Sequence, residues 1–314
     1  MAKKRIRKPT VTQQIMQTAI EKLKRYENDV TRKTYTRQVK KYVKFCREKF
    51  DSKTFSDCEK HIQSYSDFLQ SGGYTASTIH TYLAAVCAVF EIDLATIKKP
   101  VRHVAEYTRG RDAKDDLDNP KWSHIVEFQH RVGIRRNELK RLCGKDFQTD
   151  ESGYLCVVVG RGKGGKMQYQ RILEKDVEFV KAYFDSVSPN ERIFDGKYFE
   201  NDLNFHRLRA ESAKEYYFEQ LRKMKEDPKY DEKLEKEIRK RWENMNVARN
   251  GKVKKFKENE LKGVYTLRGK NRELAIEKGL PLHYDKCALL ATSIFKLSHW
   301  RNDVTVASYM LYAN

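Results

Sequence analysis

Apolar residues recur at helical spacing through the first hundred residues of the chain. In TRKTYTRQVKKYVKFCREKF, Tyr35, Val39, Tyr42, Val43 and Cys46 fall on one stripe with Lys and Arg around it. Two later segments carry capping signals: SDCEKHIQSYSDFLQSGG ends in glycine, and YTASTIHTYLAAVCAVFEI opens with Ser and Thr. The pattern predicts a bundle of about four helices.

A polar stretch, EYTRGRDAKDDLDNP, separates this bundle from the rest of the chain. It contains glycine and closes with Pro120, which is typical of an interdomain linker. The chain is long enough for two domains. The predicted organisation is a basic arm over 1–9, a helical DNA-binding domain over 10–105, a linker over 106–120 and a second domain over 121–314.

The second domain combines helices with a short β hairpin. The apolar segments YLCVVVG and MQYQRIL flank the loop RGKGG, a pattern that predicts two antiparallel strands. Helices dominate the remainder, so the fold class is mainly α with a small β-sheet (α+β). Residues from about 210 to 262 are charged on most faces, with DPKY as a turn, and predict an exposed helical hairpin insertion. The alternative is a surface that contacts DNA or another subunit.

The chain carries a formal net charge of +20, which attracts polyanions. Nucleic acid is the commonest such partner and a membrane surface is the rival. No apolar run of about 18 residues and no signal-peptide segment occurs in the sequence, so we expect a cytoplasmic protein without a membrane partner. The cations expected to contact DNA lie in the N-terminal arm and the hairpin loop: Lys3, Lys4, Arg5, Arg7, Lys8 and Arg161.

The six cysteines are scattered, without C-x-x-C pairs or histidines at zinc spacing. They are interpreted as reduced thiols, mostly small core residues. We therefore expect neither a bound metal nor a cofactor.

Two motifs present arginine with a partner three residues away. VGIRRNELKRL places Arg135 and Glu138 on one helical face, and NFHRLRAESAKEYY does the same for His206 and Arg209. Taken alone, the first is an ordinary surface ion pair and the second an H-x-x-R that arises by chance.

Two further motifs supply an ammonium and a phenol. VVVGRGKGGKMQYQRIL holds Lys163 and Lys166 at a glycine-rich hairpin tip, although a plain basic turn has the same composition. LSHWRNDVTVASYM contains His299, Trp300 and Tyr309 close to the end of the chain. The simpler interpretation of Tyr309 is the last aromatic of an amphipathic helix.

The order of these four motifs resembles the catalytic domain of the tyrosine recombinase (phage integrase) family, over roughly residues 125–312. The region before the linker looks like the core-binding (SAM-like) domain of that family. The resemblance implies that Arg135 and Arg209 bind the scissile phosphate, with Glu138 as support. It also implies that Tyr309 is the nucleophile, Lys163 protonates the leaving 5′ oxygen, and His206 or His299 acts as base. These assignments suit the chemistry, because fixed guanidiniums bind phosphate oxygens through paired hydrogen bonds and a phenol with a pKa near 10 needs activation.

Three assignments have rivals. Lys166 is the alternative to Lys163, and the Tyr265–Arg268 pair in YTLR is the alternative to His206 and Arg209. Trp300 is the alternative to His299, because His299 precedes Tyr309 by 309 − 299 = 10 residues, one more than the usual family spacing. A straight helix of ten residues is about 15 Å long, so the R-N-D segment has to bend if His299 and Tyr309 share a site.

The resemblance implies a site-specific DNA recombinase of a bacterial mobile element. Such an enzyme cleaves and rejoins strands through a 3′-phosphotyrosyl intermediate and a Holliday junction. The implied partners are double-stranded DNA carrying recombination sites and further copies of the chain, as a dimer on one site and a tetramer in synapsis. A type IB topoisomerase and a catalytically inactive DNA-binding relative remain the alternatives.

Overall fold

The amphipathic stripe found in the sequence lies at the centre of the first unit of the fold, Met1–Tyr107. Val39, Tyr42, Val43 and Cys46 are buried in its core and Tyr35 is partly buried against it, which confirms the helical spacing. The structure is a computed structural model that describes residues 9–102, 116–160, 162, 167–200, 202–245 and 255–312.

Within residues 9–102 the first unit is helical throughout its regular structure. Its α-helices are α1 (Val11–Leu23), α2 (Asp29–Phe50), α3 (Phe55–Glu59), α4 (Ile62–Ser71) and α5 (Ala76–Phe90). Side-chain oxygens of Thr10, Asn28 and Thr75 accept the first free backbone N–H groups of α1, α2 and α5. Because α1 and α5 both pack on α2, the apolar faces of these helices meet in one core.

The second unit, Thr108–Asn314, is mainly helical and contains two small antiparallel sheets in its described part. Its α-helices are α6 (Ser123–Val132), α7 (Arg136–Leu139), α8 (Val177–Asp185), α9 (Phe205–Glu226), α10 (Tyr230–Met245), α11 (Gly269–Glu277), α12 (Lys286–Ala291) and α13 (Asn302–Thr305). Its strands are β1 (Phe147–Thr149), β2 (Leu155–Val159), β3 (Gln168–Arg171), β4 (Val264–Thr266) and β5 (His283–Asp285). The predicted fold class, mainly α with a small β-sheet, is confirmed.

The predicted hairpin forms the β2–β3 part of a three-stranded sheet in the order β1-β2-β3. Val159 pairs with Gln168 next to the connecting loop, and Cys156 pairs with Arg171 at the other end of the hairpin. Strand β1 adds to the other side of β2, with Phe147 opposite Val157. The strands β4 and β5 form the second sheet, in which Tyr265 lies opposite Tyr284.

The charged segment around 210–262 forms a pair of helices, α9 and α10, in which one face of each helix is buried while most of residues 221–233 are exposed. Helix α9 packs against α6 along its first half, and Tyr216 of α9 shares a core with Leu234 and Ile238 of α10. The buried faces of α9 and α10 need few apolar residues, because charged side chains occupy much of these faces. The hydrophobic pattern alone therefore underestimates how deeply this helical pair is packed.

A buried ion network joins α10 to the three-stranded sheet. The carboxylate of Asp150, which has no exposed side-chain surface, accepts from Arg171 Nε at 2.7 Å and from Arg241 Nη2 at 2.9 Å. Arg171 also donates to Glu237 at 2.6 Å, and its guanidinium lies 3.7 Å from the centre of the Phe295 ring. Although burial acts to raise the pKa of Asp150, the charge of Arg171 and the hydrogen bond from it hold that pKa below its usual value.

We expect Asp150→Asn to destabilise the protein by about 3–5 kcal/mol, because it leaves two buried guanidiniums without their shared carboxylate. The free energy of unfolding, measured by urea denaturation, tests this. Asp185→Asn is the matched control, since it breaks only the exposed Lys181–Asp185 pair and should change stability little. Equal stability of the two variants would show that the network does not hold α10 to the sheet.

Candidate active site

The ring of Tyr309 lies between two imidazoles. Tyr309 belongs to a π-helical segment, Val306–Met310, that continues from α13. Its ring centre lies 5.3 Å from that of His206 and 6.2 Å from that of His299, and the His299 ring is nearly parallel to it. Tyr309 itself is 7% exposed. Burial alone is also what the simpler interpretation, the last aromatic of an amphipathic helix, predicts, so the groups around the phenol distinguish the two.

The chain changes direction at residues 298–301, around His299, whereas Asn302 and Asp303 of the R-N-D segment already belong to α13. A first π-helical segment, Thr292–Lys296, follows α12, and Ser298 then adopts the left-handed conformation with φ +55°. The His299 N–H donates to the Ser293 carbonyl at 2.8 Å, which folds the bend back onto the preceding helix. Helix α13 starts afresh at Asn302. Two segments of irregular helix thus bring His299 and Tyr309 together.

Arg209 connects the Tyr309 phenol to the scaffold. Its Nε donates to the Tyr309 hydroxyl at 3.3 Å, its Nη2 donates to the Leu297 carbonyl at 2.8 Å, and its Nη1 donates to the Gly133 carbonyl. The residue is only 2% exposed. A guanidinium has five N–H donors, so these three contacts leave two N–H groups without an acceptor among the described residues.

Gly133 lets the end of α6 approach Arg209 closely. It ends the helix in the left-handed conformation with φ +70°, where side chains are disfavoured. A Cβ atom on Gly133 would also lie 2.8 Å from Ser212 Oγ on α9. Glycine at this position therefore allows α6 and α9 to meet and presents a carbonyl to the buried guanidinium.

Arg135 follows this turn and is oriented by Glu138. The Glu138 carboxylate accepts from the Arg135 backbone N–H at 2.9 Å and from Arg135 Nη1 at 2.7 Å. The Arg135 side chain is 31% exposed, whereas that of Glu138 is 3% exposed. The neighbouring Arg136 points elsewhere, donating to the Phe199 carbonyl and lying over the Phe205 ring. Arg135 is thus the cation that can meet an incoming anion here.

His299 is electrostatically inhibited from taking up a proton. Burial lowers its pKa to about 3, and the positive charges of Arg209 and Arg135 act in the same direction. Neither ring nitrogen of His299 has a hydrogen-bond partner among the described residues. A neutral imidazole with a free donor and a free acceptor therefore lies beside the phenol.

The alternative residues that the sequence offered for these roles lie away from the Tyr309 hydroxyl. Trp300 packs edge-on against Trp242, with ring centres 4.8 Å apart. Arg268 is exposed at the N-terminus of α11, and Tyr265 pairs with Tyr284 in the second sheet. Arg209 and His299, in contrast, both reach Tyr309. The remaining residues singled out in the sequence lie outside the described residues: Lys163, Lys166, Arg161, Lys3, Lys4, Arg5, Arg7 and Lys8.

Tyr312 is a contributor that the sequence motifs did not reveal. Its ring stands edge-on to His206, with centres 5.4 Å apart, and its hydroxyl accepts from Asn204 Nδ2 at 2.8 Å. Asn204 also caps α9 by accepting from the Arg207 N–H. His206 is consequently held between two phenol rings, and only that of Tyr309 is hydrogen bonded by Arg209.

Lys296 is a second residue near the candidate site that the sequence motifs did not reveal. It is 1% exposed, and its ammonium donates to the carbonyls of Arg131 at 2.6 Å and Arg171 at 3.4 Å. Burial lowers its pKa to about 8. The ammonium joins the ends of α6 and β3 to the segment that precedes His299. A single lysine inside the apolar run ALLATSIFKL was the available signal.

The described residues contain no cluster of His, Cys, Asp or Glu suited to a metal ion. The six cysteines are free thiols, all buried except the half-buried Cys143. In the parts of the chain that the structure covers, no helix has the length and apolar character needed to cross a membrane.

The sequence matches no model of a known protein family and no curated protein. Among solved structures, the fold is similar to one described as a crystal structure of XerA recombinase, at 20% sequence identity. The similar region covers 63% of this chain and 82% of that chain, with a TM-score of 0.21. A TM-score of this size is too low to support a conclusion, so the activity has to be inferred from the side chains of this chain.

We expect His299 to stay neutral from pH 8 down to pH 5, which NMR of its ring Cε1–H can measure, with His299→Gln to assign the signal. In urea the same ring should titrate near pH 6.5. Because the folded-state pKa lies below the unfolded value, this group contributes a loss of stability as pH falls below about 6.5. A folded-state midpoint above pH 6 would contradict the electrostatic description of the site.

Proposed function

We propose that the protein cleaves and rejoins DNA strands, with Tyr309 as the nucleophile. One observation carries this proposal: a buried arginine donates a hydrogen bond to the Tyr309 hydroxyl while two imidazoles flank the ring. A guanidinium that donates to a phenol oxygen also stabilises negative charge that develops on that oxygen. A tyrosine of the core, such as Tyr309, needs one hydrogen-bond partner for its hydroxyl, but it does not need two neighbouring imidazoles as well.

In the proposed reaction a phosphodiester binds to Arg135 and to the remaining N–H groups of Arg209. The Tyr309 oxygen attacks phosphorus as His206 takes the phenol proton, and His299, being neutral, donates a hydrogen bond to a phosphate oxygen. The bond to the 5′ oxygen breaks and that oxygen leaves with a proton, leaving a 3′-phosphotyrosyl link. The assignment of Lys163 as the proton donor rests on the sequence alone. Attack by a 5′ hydroxyl reverses these steps without an external energy source.

Access to Tyr309 requires a local rearrangement, because the side chain is 7% exposed. The π-helical segment that carries it offers a means. Single turns of π-helix occur frequently at functional sites and place a residue outside the regular α-helical hydrogen-bond pattern. We assign the opening of the site to the segment Val306–Met310.

The first unit offers a surface that suits a phosphate backbone. Arg37, Lys40, Lys41 and Lys44 are exposed along α2 on the side away from its buried stripe, and Arg47 continues the row. Cations at this spacing follow one helical face and can neutralise successive phosphates. Together with the net charge of +20, this row supports DNA as the substrate.

The finer assignment is a site-specific tyrosine recombinase of a mobile element that acts as a tetramer on two DNA sites. It rests on the motif resemblance described above. A type IB topoisomerase would share the cleavage step but would relax supercoils without joining two sites. An assay with two candidate sites on one plasmid distinguishes the two, because only a recombinase yields exchanged products.

We expect wild-type protein to form a covalent adduct with a nicked suicide substrate, from which the cleaved strand diffuses away. Tyr309→Phe should abolish the adduct because it removes the attacking oxygen. Tyr312→Phe is the matched control, and its adduct should persist because its hydroxyl contacts Asn204 rather than Arg209. Adduct yield is read by denaturing gel electrophoresis, and mass spectrometry identifies the modified tyrosine. An adduct at Tyr312, or none on a substrate that binds tightly, would refute the proposal.

We expect Arg209→Lys to slow cleavage by about 100-fold or more, since it keeps a positive charge but loses the fork of donors. Arg268→Lys, at the exposed rival position, should cleave at the wild-type rate. The cleavage rate of each variant is measured under single-turnover conditions, and thermal melts establish that each variant is folded. The reverse pattern would assign the second arginine to Arg268.

A further inference from the structure

An aromatic pocket beside the candidate site includes Trp300 of the final motif, and the proposed chemistry does not use it. Trp242 of α10, Phe256 and Trp300 form its walls, with ring centres 5.4 Å apart for Trp242 and Phe256. The cavity has a volume of about 400 Å³. This lies within the usual range for pockets that hold small ligands.

The pocket adjoins the site directly. Trp300 follows His299 in the chain, and Arg301 and Asp303, which line the cavity, are among the charges that act on the His299 pKa. The Asn302 amide donates to the Glu260 carbonyl at 2.7 Å, so the pocket wall is attached to the start of α13. A strand bound for cleavage at Tyr309 would therefore pass near these rings.

The side chains that line the pocket suit a ligand in which a planar group is attached to an anion. The aromatic walls are all half-buried rather than closed into the core. Arg301 at the rim is paired with Asp303 at 2.6 Å, and the exposed Lys255 and Lys257 outnumber the remaining acid, Glu260. Aromatic side chains bordered by cations are the usual platform for an unstacked nucleobase and its phosphate, and such stacking tolerates any base.

We infer that this pocket, defined by Trp242, Phe256 and Trp300, binds one unstacked nucleobase of the DNA held at the candidate site. The inference rests on the proposed function for the nature of the substrate. It assigns α10 a role in holding DNA, which its packing against the sheet alone does not require. Base binding here would keep the strand beside the cleavage position in place.

Tryptophan fluorescence reports on the pocket, because two of the three tryptophans in the chain line it and the third, Trp122, is 5% exposed in a core. The probes are a short single-stranded oligonucleotide and an abasic oligonucleotide with the same number of phosphates. We expect the first to quench the emission of the full-length protein strongly and the second to quench it weakly. Equal quenching by both probes would overturn the inference.

Trp242→Leu should weaken binding of the base-bearing probe about tenfold, measured by fluorescence anisotropy of a labelled oligonucleotide, and leave the abasic probe unaffected. Phe256→Leu provides a second variant with the same expected selectivity if Trp242→Leu does not fold. Phe218→Leu is the control, because Phe218 is an exposed aromatic on α9 outside the pocket. An equal loss for both probes, or no loss, would exclude a base-binding role.

These outcomes separate the pocket from the chemistry. Selective binding of bases without any covalent adduct would contradict the proposed cleavage activity and support the base-binding pocket. An adduct at Tyr309 without selective binding of bases would contradict the base-binding pocket and support the cleavage activity.

Discussion

The buried guanidinium of Arg209 is the interaction on which the candidate site depends. Its donors reach the carbonyl of Gly133 at the end of α6, the carbonyl of Leu297 before the bend, and the hydroxyl of Tyr309. A buried charge is very unfavourable unless its hydrogen-bonding groups are satisfied, so separating any of these elements from α9 would carry a large cost. Arg209 is therefore held in place before a ligand arrives, and the proposed opening moves only the segment that carries Tyr309. Fixed donors of this kind stabilise developing charge without having to reorganise during the reaction.

The same arrangement determines the protonation of the site. Arg135 and Arg209 contribute two permanent positive charges, and the carboxylate of Glu138 is hydrogen bonded to Arg135. Burial together with these charges keeps His299 neutral, whereas an anionic phosphodiester would be attracted to the same surroundings. The surroundings of Tyr309 thus disfavour a proton on His299 and favour an anion.

Local patterns predicted much of this fold, but long-range polar partners did not follow from them. The stripe along α2 and the hairpin flanked by VVVG and QYQRIL depend on periodicity and turn residues, which a single sequence displays directly. Asp150, Arg171 and Arg241 are far apart in the chain, so nothing local indicates that they share one buried site. For that reason the pattern did not show the buried face of α10, which carries Arg241. Lys296 illustrates the same limit, because its partners are backbone carbonyls that no residue type encodes.

The irregular helices also account for the spacing of the final motif. His299 precedes Tyr309 by ten residues, one more than is usual in the family that the motifs resemble. In the segment that carries Tyr309, the Leu311 N–H donates to the Val306 carbonyl at 2.9 Å, an i→i+5 bond in place of the i→i+4 bond of an α-helix. Such a turn takes in one more residue than an α-helical turn. The extra residue is thereby absorbed within the helix, and the phenol still faces His206 and Arg209. The longer spacing is accordingly compatible with His299 as the partner of Tyr309, and Trp300 is left to pack against Trp242.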